Sequence, residues 1–279
     1  MTSVKHTTIK KISDSGIESK SDLLAIEEPL EIRVGFGSVS ERQQRNLSVT
    51  MRTPGHDFEL AVGFLFTEGI VQNFDQIESV KYCEDGGKQE QKENIVRVEL
   101  KPDVKIDFEK LQRHFYTTSG CGVCGKTSID AVKVNCSTYF DSFRIASTTV
   151  HSLPETLRKA QQVFEYTGGL HAAALFDDVG NLILLREDVG RHNALDKIVG
   201  VMLFKKEIPL SNYLLLVSGR ASFELVQKAA VAGIPVLSAV GAPSSLAVQL
   251  AQDAGITLLG FVRDQRFNIY AGEERILNT

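Results

Sequence analysis

Apolar positions along this chain fall into two regimes. In the first, short runs alternate with a period of two. Glu31-Ile-Arg-Val-Gly-Phe36 and Asn46-Leu-Ser-Val-Thr-Met51 read as half-buried strands paired around a polar turn. Thr53-Pro54 then opens a helix, with proline in its first turn. Its apolar positions are Phe58, Ala61, Leu65 and Phe66, and Gly69 ends it. Ser79–Cys83 and Asn94–Leu100 flank a polar Gly-Gly loop and read as a hairpin. Residues 1–28 are polar and mixed, and read as a poorly ordered arm with room for one edge strand. Residues 29–136 therefore read as a smaller α+β domain.

The second regime is regular. Residues 137–151 read as a connector, after which Ser152-Leu-Pro-Glu155 is a capping box opening a helix to Tyr166. Strands follow at His171–Phe176, Leu182–Arg186, Tyr213–Val217, Pro235–Ala239 and Ile256–Phe261. Helices fall at Arg191–Phe204, Ser222–Ala232 and Ser244–Ala254. The last three strands are apolar runs separated by helices, as in a parallel sheet, and the first two pair as a hairpin. The expectation for residues 150–279 is a three-layer α/β domain with a mixed sheet.

Composition excludes more than it assigns. The chain has 279 residues, 43% hydrophobic, with a net charge of -4. Lys and Arg are spread along it, with no basic stripe for nucleic acid. No apolar run reaches membrane-spanning length, and the start lacks the apolar stretch of a signal peptide. Four cysteines in such a chain fit reduced thiols and the cytoplasm.

Chemistry concentrates first at Thr117-Thr-Ser-Gly-Cys-Gly-Val-Cys-Gly-Lys126, where Cys121 and Cys124 form a CxxC among three glycines. The segment after it has helical spacing at Ile129 and Val132, so the thiols would sit at a helix N-terminus beside Lys126. Both effects favour thiolate, below the free thiol value of roughly 8.5. Half of a zinc site, a dithiol oxidoreductase and a sulfur carrier all remain open on these residues. Zinc needs four ligands, and Cys83 and Cys136 stand alone. The oxidoreductase reading wants a strand before the motif, where Asp107–His114 looks helical. A persulfide carrier needs room, a cation and access, which this loop offers.

A second constellation lies at the C-terminal ends of the later strands, where ligands bind in such sheets. Ser218-Gly-Arg-Ala-Ser222 and Ala239–Ser245 each lead into a helix whose first N–H groups suit an anion, with Arg220 adding charge. Phe261-Val262-Arg263-Asp264-Gln265-Arg266 adds an aromatic face and two guanidiniums. Together they suit a phosphate-bearing, nucleotide-like ligand. Glu187-Asp-Val-Gly-Arg-His-Asn-Ala-Leu-Asp-Lys197 is the densest polar cluster; capping by Asp188 leaves Arg191 and His192 unexplained. His171 reads as a hydrogen-bonded core residue.

Thr118–Gly125, Thr167-Gly-Gly-Leu-His-Ala-Ala-Ala174, Glu187–Lys197, Val217–Ser222 and Leu60–Ile70 together resemble the formate dehydrogenase accessory sulfurtransferase family, FdhD. The resemblance runs from about residue 29 to the end. It implies a sulfur carrier required for formate dehydrogenase, with Cys121 as persulfide carrier and Cys124 as its partner. A cysteine desulfurase would donate the sulfur. A molybdenum or tungsten bis(molybdopterin guanine dinucleotide) would accept it as bound cargo, with no permanently bound cofactor or metal. The resemblance places cofactor contacts at Phe261–Arg266, although Gln265 stands where the family has glycine. Ser218, Gly219, Arg220 and Ser222 would add to them, and Asp188 and His192 would help orient the cofactor. It further implies a homodimer and a cytidine-deaminase-like C-terminal domain. His171-Ala-Ala-Ala174 lacks the catalytic Glu and the Cys pair of deaminase zinc chemistry. The alternatives are a cofactor-binding chaperone that carries no sulfur, and a plain dithiol oxidoreductase.

Overall fold

The computed structural model of the protein describes residues 3–14, 16–83, 93–106 and 142–278. The CxxC, Cys136 and the helices expected at Asp107–His114 and after Lys126 lie outside the described residues.

The polar arm is folded. β1 (Val4–Ser13) and β2 (Gly16–Ala25) pair antiparallel over their full length. None of their residues is fully buried, and Ile12 and Ile17 near the turn are exposed. Polarity on both faces hid the alternation that would have announced these strands.

β3 (Glu28–Phe36) and β4 (Gln43–Arg52) pair as expected. β5 (Ile77–Tyr82) and β6 (Ile95–Leu100) form the second hairpin, and β6 lies parallel to β3. The resulting four-stranded sheet runs β4-β3-β6-β5. Helix α1 (Asp57–Thr67) covers its inner face, but starts later than Pro54. Gly55 and His56 both take positive φ, 105° and 61°, so the chain turns there before the helix begins. The Thr53 backbone, meanwhile, is held by Asp188 and Lys197.

After β7 (Ile145–Ala146), helix α2 spans Ser147–Ala160, five residues earlier than the capping box suggested. Ser152 is interior to it and donates to the Thr149 carbonyl. The buried stripe Val150, Leu153 and Leu157 explains the extension, because it packs on the second sheet from the first turn onward. A short α3 (Gln162–Thr167) follows. The strands β8 (His171–Phe176), β9 (Leu182–Asp188), β10 (Leu214–Val217), β11 (Val236–Ala239) and β12 (Thr257–Arg263) lie where the pattern put them. So do α4 (Arg191–Phe204), α5 (Phe223–Val231) and α6 (Ser245–Asp253).

β13 (Arg266–Ala271) was not expected; it returns antiparallel on β12. The six-stranded mixed sheet runs β13-β12-β11-β10-β8-β9, with β10, β11 and β12 mutually parallel. β14 (Ile276–Leu277) closes the chain against β7.

One hydrophobic core joins both sheets. It runs from Leu30, Ile32 and Val96 through Leu65 of α1 and Leu195 of α4 to Leu215 and Leu237. The other face of the larger sheet has its own core under α2, with Phe143, Phe176 and Leu216. At the centre α1 crosses α4 with no side chain between the backbones. A Cβ on Gly63 would overlap the Asp196 carbonyl, and one on Gly200 would overlap that of Glu59. Among the described residues, no helix is long and apolar enough to cross a membrane.

Replacing Gly63 with alanine should force the two helices apart. We expect a loss of about 3 kcal/mol in urea unfolding, at the upper end for overpacking because backbone cannot move like a side chain. A loss below about 1 kcal/mol would mean that the crossing gives way easily.

Candidate functional site: the C-terminal edge of the larger sheet

Topology gathers the site. β8 runs antiparallel to β10, so His171 opens β8 at the edge where β10 ends. β9 ends beside it, with Asp188 opposite His171. The loops after β10, β11 and β12 arrive at the same edge.

These loops are hydrogen-bonded to one another beyond the strands. The Val240 N–H donates to the Val217 carbonyl at 3.1 Å, and the Gly241 N–H to that of Gly219 at 3.0 Å. The Ser244 N–H reaches the Ala221 carbonyl at 3.0 Å, and the Phe261 N–H reaches that of Gly241 at 3.1 Å. Gly241 lets the loops approach closely here, since a Cβ would press at 3.0–3.2 Å on Arg220. The result is a rigid rim carrying exposed Arg220, Arg263 and Arg266.

Phe261–Arg266 is strained. Phe261, Asp264 and Gln265 have φ of 54°, 53° and 55°, in the left-handed region that L-residues avoid. Two consecutive left-handed residues, Asp264 and Gln265, make a tight primed hairpin turn without glycine. That missing glycine is why β13 gave no turn signal. A register shift between Gly260 and Arg263 accommodates Phe261, and the Arg263 guanidinium lies 5.8 Å from its ring centre. Val262, expected among the ligand contacts, instead buries its side chain in the core under α2. It can offer a ligand only its backbone.

The helix starts differ from expectation. Ser244 caps α6 itself, accepting from the Ala247 N–H at 3.2 Å. α5 has no side-chain cap, because Ser222 Oγ instead lies 3.2 Å from His192 Nε2. The same imidazole nitrogen is 3.0 Å from Glu224 Oε2. Ser218 Oγ accepts from the Ala172 N–H at 2.9 Å, tying the rim to β8. Gly219 leaves space over His171, where a Cβ would sit 3.4 Å from Nδ1.

The cluster Glu187–Lys197 is mostly framework. Glu187 accepts from the Val163 and Phe164 N–H groups at the start of α3. Asp188 is fully buried and meets Lys197 Nζ at 2.6 Å, the Gly190 N–H at 2.8 Å, Asn193 Nδ2 at 3.0 Å and the Thr53 N–H at 3.2 Å. This corrects the expectation that Asp188 touches a ligand: its oxygens are occupied by protein donors. Asp196 is likewise buried against Lys228, 2.9 Å away, and accepts from Thr67. Burial alone would push the Lys228 pKa down, but the Asp196 and Glu68 carboxylates hold it above its usual value.

Two residues at this edge escaped the sequence reading as ligand contacts. His171 faces the rim, and Arg191 opens α4 with its Nε buried and unbonded among the described residues. The antiparallel register of β8, invisible in local pattern, is what brings His171 there. A cavity of about 550 Å³ lies elsewhere, on the outer face of the smaller sheet near Arg42 and Arg97, both already paired with Glu99. Among the described residues no three His, Cys, Asp or Glu side chains gather to hold a metal ion.

The FdhD/NarQ family model matches residues 25–277. The chain belongs to the FdhD/NarQ family. A protein of Streptomyces avermitilis described as sulfur carrier protein FdhD is 50% identical, over 95% of this chain and 93% of its own. One of Mycobacterium tuberculosis with the same description is 48% identical over 97% and 98%. One of the archaeon Sulfurisphaera tokodaii is 41% identical over 98% and 99%. In fold, the chain matches a crystal structure from Desulfotalea psychrophila, a protein proposed as a formate dehydrogenase accessory protein. The TM-score is 0.72 at 24% identity, covering 98% of this chain and 99% of that one.

Two outcomes test the division between framework and rim. Asp188→Asn should cost about 3–5 kcal/mol in chemical unfolding, because it leaves the buried Lys197 charge uncompensated. Gln265→Gly should instead raise stability by about 0.5–1 kcal/mol, by relieving a left-handed residue at the turn. A neutral Asp188→Asn, or a destabilising Gln265→Gly, would reverse these assignments.

Proposed function

We propose that this protein is the sulfur carrier that activates formate dehydrogenase. It takes sulfur from a cysteine desulfurase as a persulfide on Cys121 and passes it to a molybdenum or tungsten bis(molybdopterin guanine dinucleotide). That cofactor is cargo, handed on to formate dehydrogenase. In loading, the Cys121 thiolate attacks the terminal sulfur of the donor persulfide, one S–S bond forms, another breaks, and the donor thiolate leaves. Releasing that sulfur as sulfide takes two electrons. Cys124 supplies them by closing a disulfide on Cys121, which a cellular thiol then reduces.

The observation that carries the reading is near-full-length similarity to proteins described as sulfur carriers. The rim supports the cargo end. Arg220, Arg263 and Arg266 project at one sheet edge, and planar guanidiniums bind phosphoryl oxygens in bidentate fashion. The ring of Phe261 adds a stacking face, and the start of α5 the positive end of its dipole. The reading includes a cytidine-deaminase-like layering of the larger domain, a homodimer and action in the cytoplasm.

Intact mass after incubation with a desulfurase and cysteine should show one added sulfur on the wild type and none on Cys121→Ala. The variant should also fail to restore formate dehydrogenase activity in cells lacking the protein. Sulfur retained by Cys121→Ala with full activity would move the carrier elsewhere. Arg220→Ala should bind GDP about tenfold more weakly in calorimetry, the value of one charged hydrogen bond. Equal affinities would take the nucleotide off this rim.

A further inference from the structure

The corner where β9 passes into α4 carries positive charge that the framework does not use. Arg191 is the first residue of α4, a helix of 14 residues that starts at Gly190 with no side-chain cap. The Arg191 Nε is buried and has no hydrogen-bond partner among the described residues. A guanidinium N–H shut away from water without an acceptor is an unfavourable arrangement that an arriving anion would relieve.

His171 stands beside it. Its pKa is pushed down first by burial, then by the charges of Arg191 and His192, with Asp188 acting weakly the other way. His192 is occupied, lying against Glu224 and Ser222. His171 is half-buried, with Gly219 packed near its ring, where a Cβ would sit 3.4 Å from Nδ1. A guanidinium, an imidazole and the positive end of a long helix thus converge beside one carboxylate, Asp188, whose oxygens are already shared among Lys197, Asn193 and the Gly190 and Thr53 N–H groups.

This corner meets the rim at Gly219, which packs against His171, and lies across the sheet from the far end of the rim. From β8 the sheet runs through β10 and β11 to β12, three strand spacings. At about 4.8 Å each, that places it roughly 14 Å from the Phe261–Arg266 turn. One extended ligand could reach both flanks.

We propose that Arg191, His171 and the open first turn of α4 form a second anion subsite, which takes a phosphoryl group of the same elongated cargo whose guanine nucleotide end sits on the Arg220–Arg263 rim. The subsite rests on the nucleotide reading of that rim, and its chemistry is the ordinary one for a phosphoryl oxyanion. The guanidinium donates two N–H groups, the helix start donates backbone N–H, and the imidazole adds charge on protonation. An anion here favours protonated His171. Its binding therefore raises the His171 pKa, and affinity rises as pH falls through that pKa.

Sulfate is a suitable probe, because it is tetrahedral and does not titrate near neutrality. The His171 ring resonance should be followed by NMR across pH in the full-length protein, with and without millimolar sulfate. In the wild type, sulfate should shift the His171 pKa upward in a saturable manner. In Arg191→Gln the pKa should start higher, since one repelling charge is gone, and sulfate should bind about tenfold more weakly. Arg191→Lys, which keeps the charge but not the planar fork, should fall between them. GDP calorimetry on the same variants should be unchanged. A wild-type His171 that ignores sulfate, or an unaltered sulfate response in Arg191→Gln, overturns the subsite. Failure of the wild type to bind GDP instead removes the rim reading, while the His171 titration still decides the subsite.

Discussion

Everything at the functional edge is held in place by the crossing of α1 and α4. Gly63 and Gly200 let the two backbones touch, so the helices meet closer than side chains would allow. That contact puts the α1 layer, and with it the smaller sheet, directly against the helix that begins at the site. Buried ion pairs flank it on either side. Asp188 and Lys197 clamp the Thr53 backbone ahead of α1, and Asp196 and Lys228 clamp Thr67 at its end. Isolated buried pairs of this kind add little net stability compared with apolar packing. Their value lies in geometry, since each works only in one register of α1 on α4. The start of α4 is thereby fixed relative to both sheets.

The same eleven residues, Glu187–Lys197, therefore serve two purposes. Side chains pointing into the protein are hydrogen-bonded to other elements: Glu187 to α3, Asp188 to Thr53 and Lys197, Asn193 to the Met51 carbonyl, Asp196 to Lys228. Those at the first turn of α4, Arg191 and His192, face the edge. A strand passing into a helix produces this split, because the last strand residue and the first helical turn point in different directions. A polar cluster in a sequence is thus not one site; its members divide by the element each belongs to.

That division marks what was legible beforehand. The larger sheet was readable almost strand by strand, because its strands are continuous apolar runs such as Leu214–Val217 separated by helices of ordinary length. The rim was readable too, since small residues after β10 and β11 mark tight turns into helices. Asp188 was misplaced because sequence shows a carboxylate but not that Lys197, nine residues on in α4, folds back onto it. β13 was missed because Asp264 and Gln265 make their turn by strain instead of by glycine. His171 was undervalued because only the antiparallel pairing of β8 with β10, a long-range fact, carries it to the edge. The CxxC at Cys121 and Cys124 lies outside the described residues, and its spacing alone left three readings open.

The strain and the stitching point to one physical character for the C-terminal edge of the larger sheet. Phe261 holds a left-handed conformation within a strand, and its N–H is fixed to Gly241, which is itself fixed to Gly219. A residue so constrained cannot relax without breaking the chain of loop hydrogen bonds that spans three strands. The Phe261 backbone is therefore set in position before any ligand arrives, and a ligand meeting it loses little in ordering that part of the protein. A carrier benefits from such an arrangement. On the proposed reading, the cargo is gripped in one orientation so that a single sulfur reaches one metal centre. On that reading, a rigid anchor at the sheet edge leaves whatever motion transfer requires to the cargo itself.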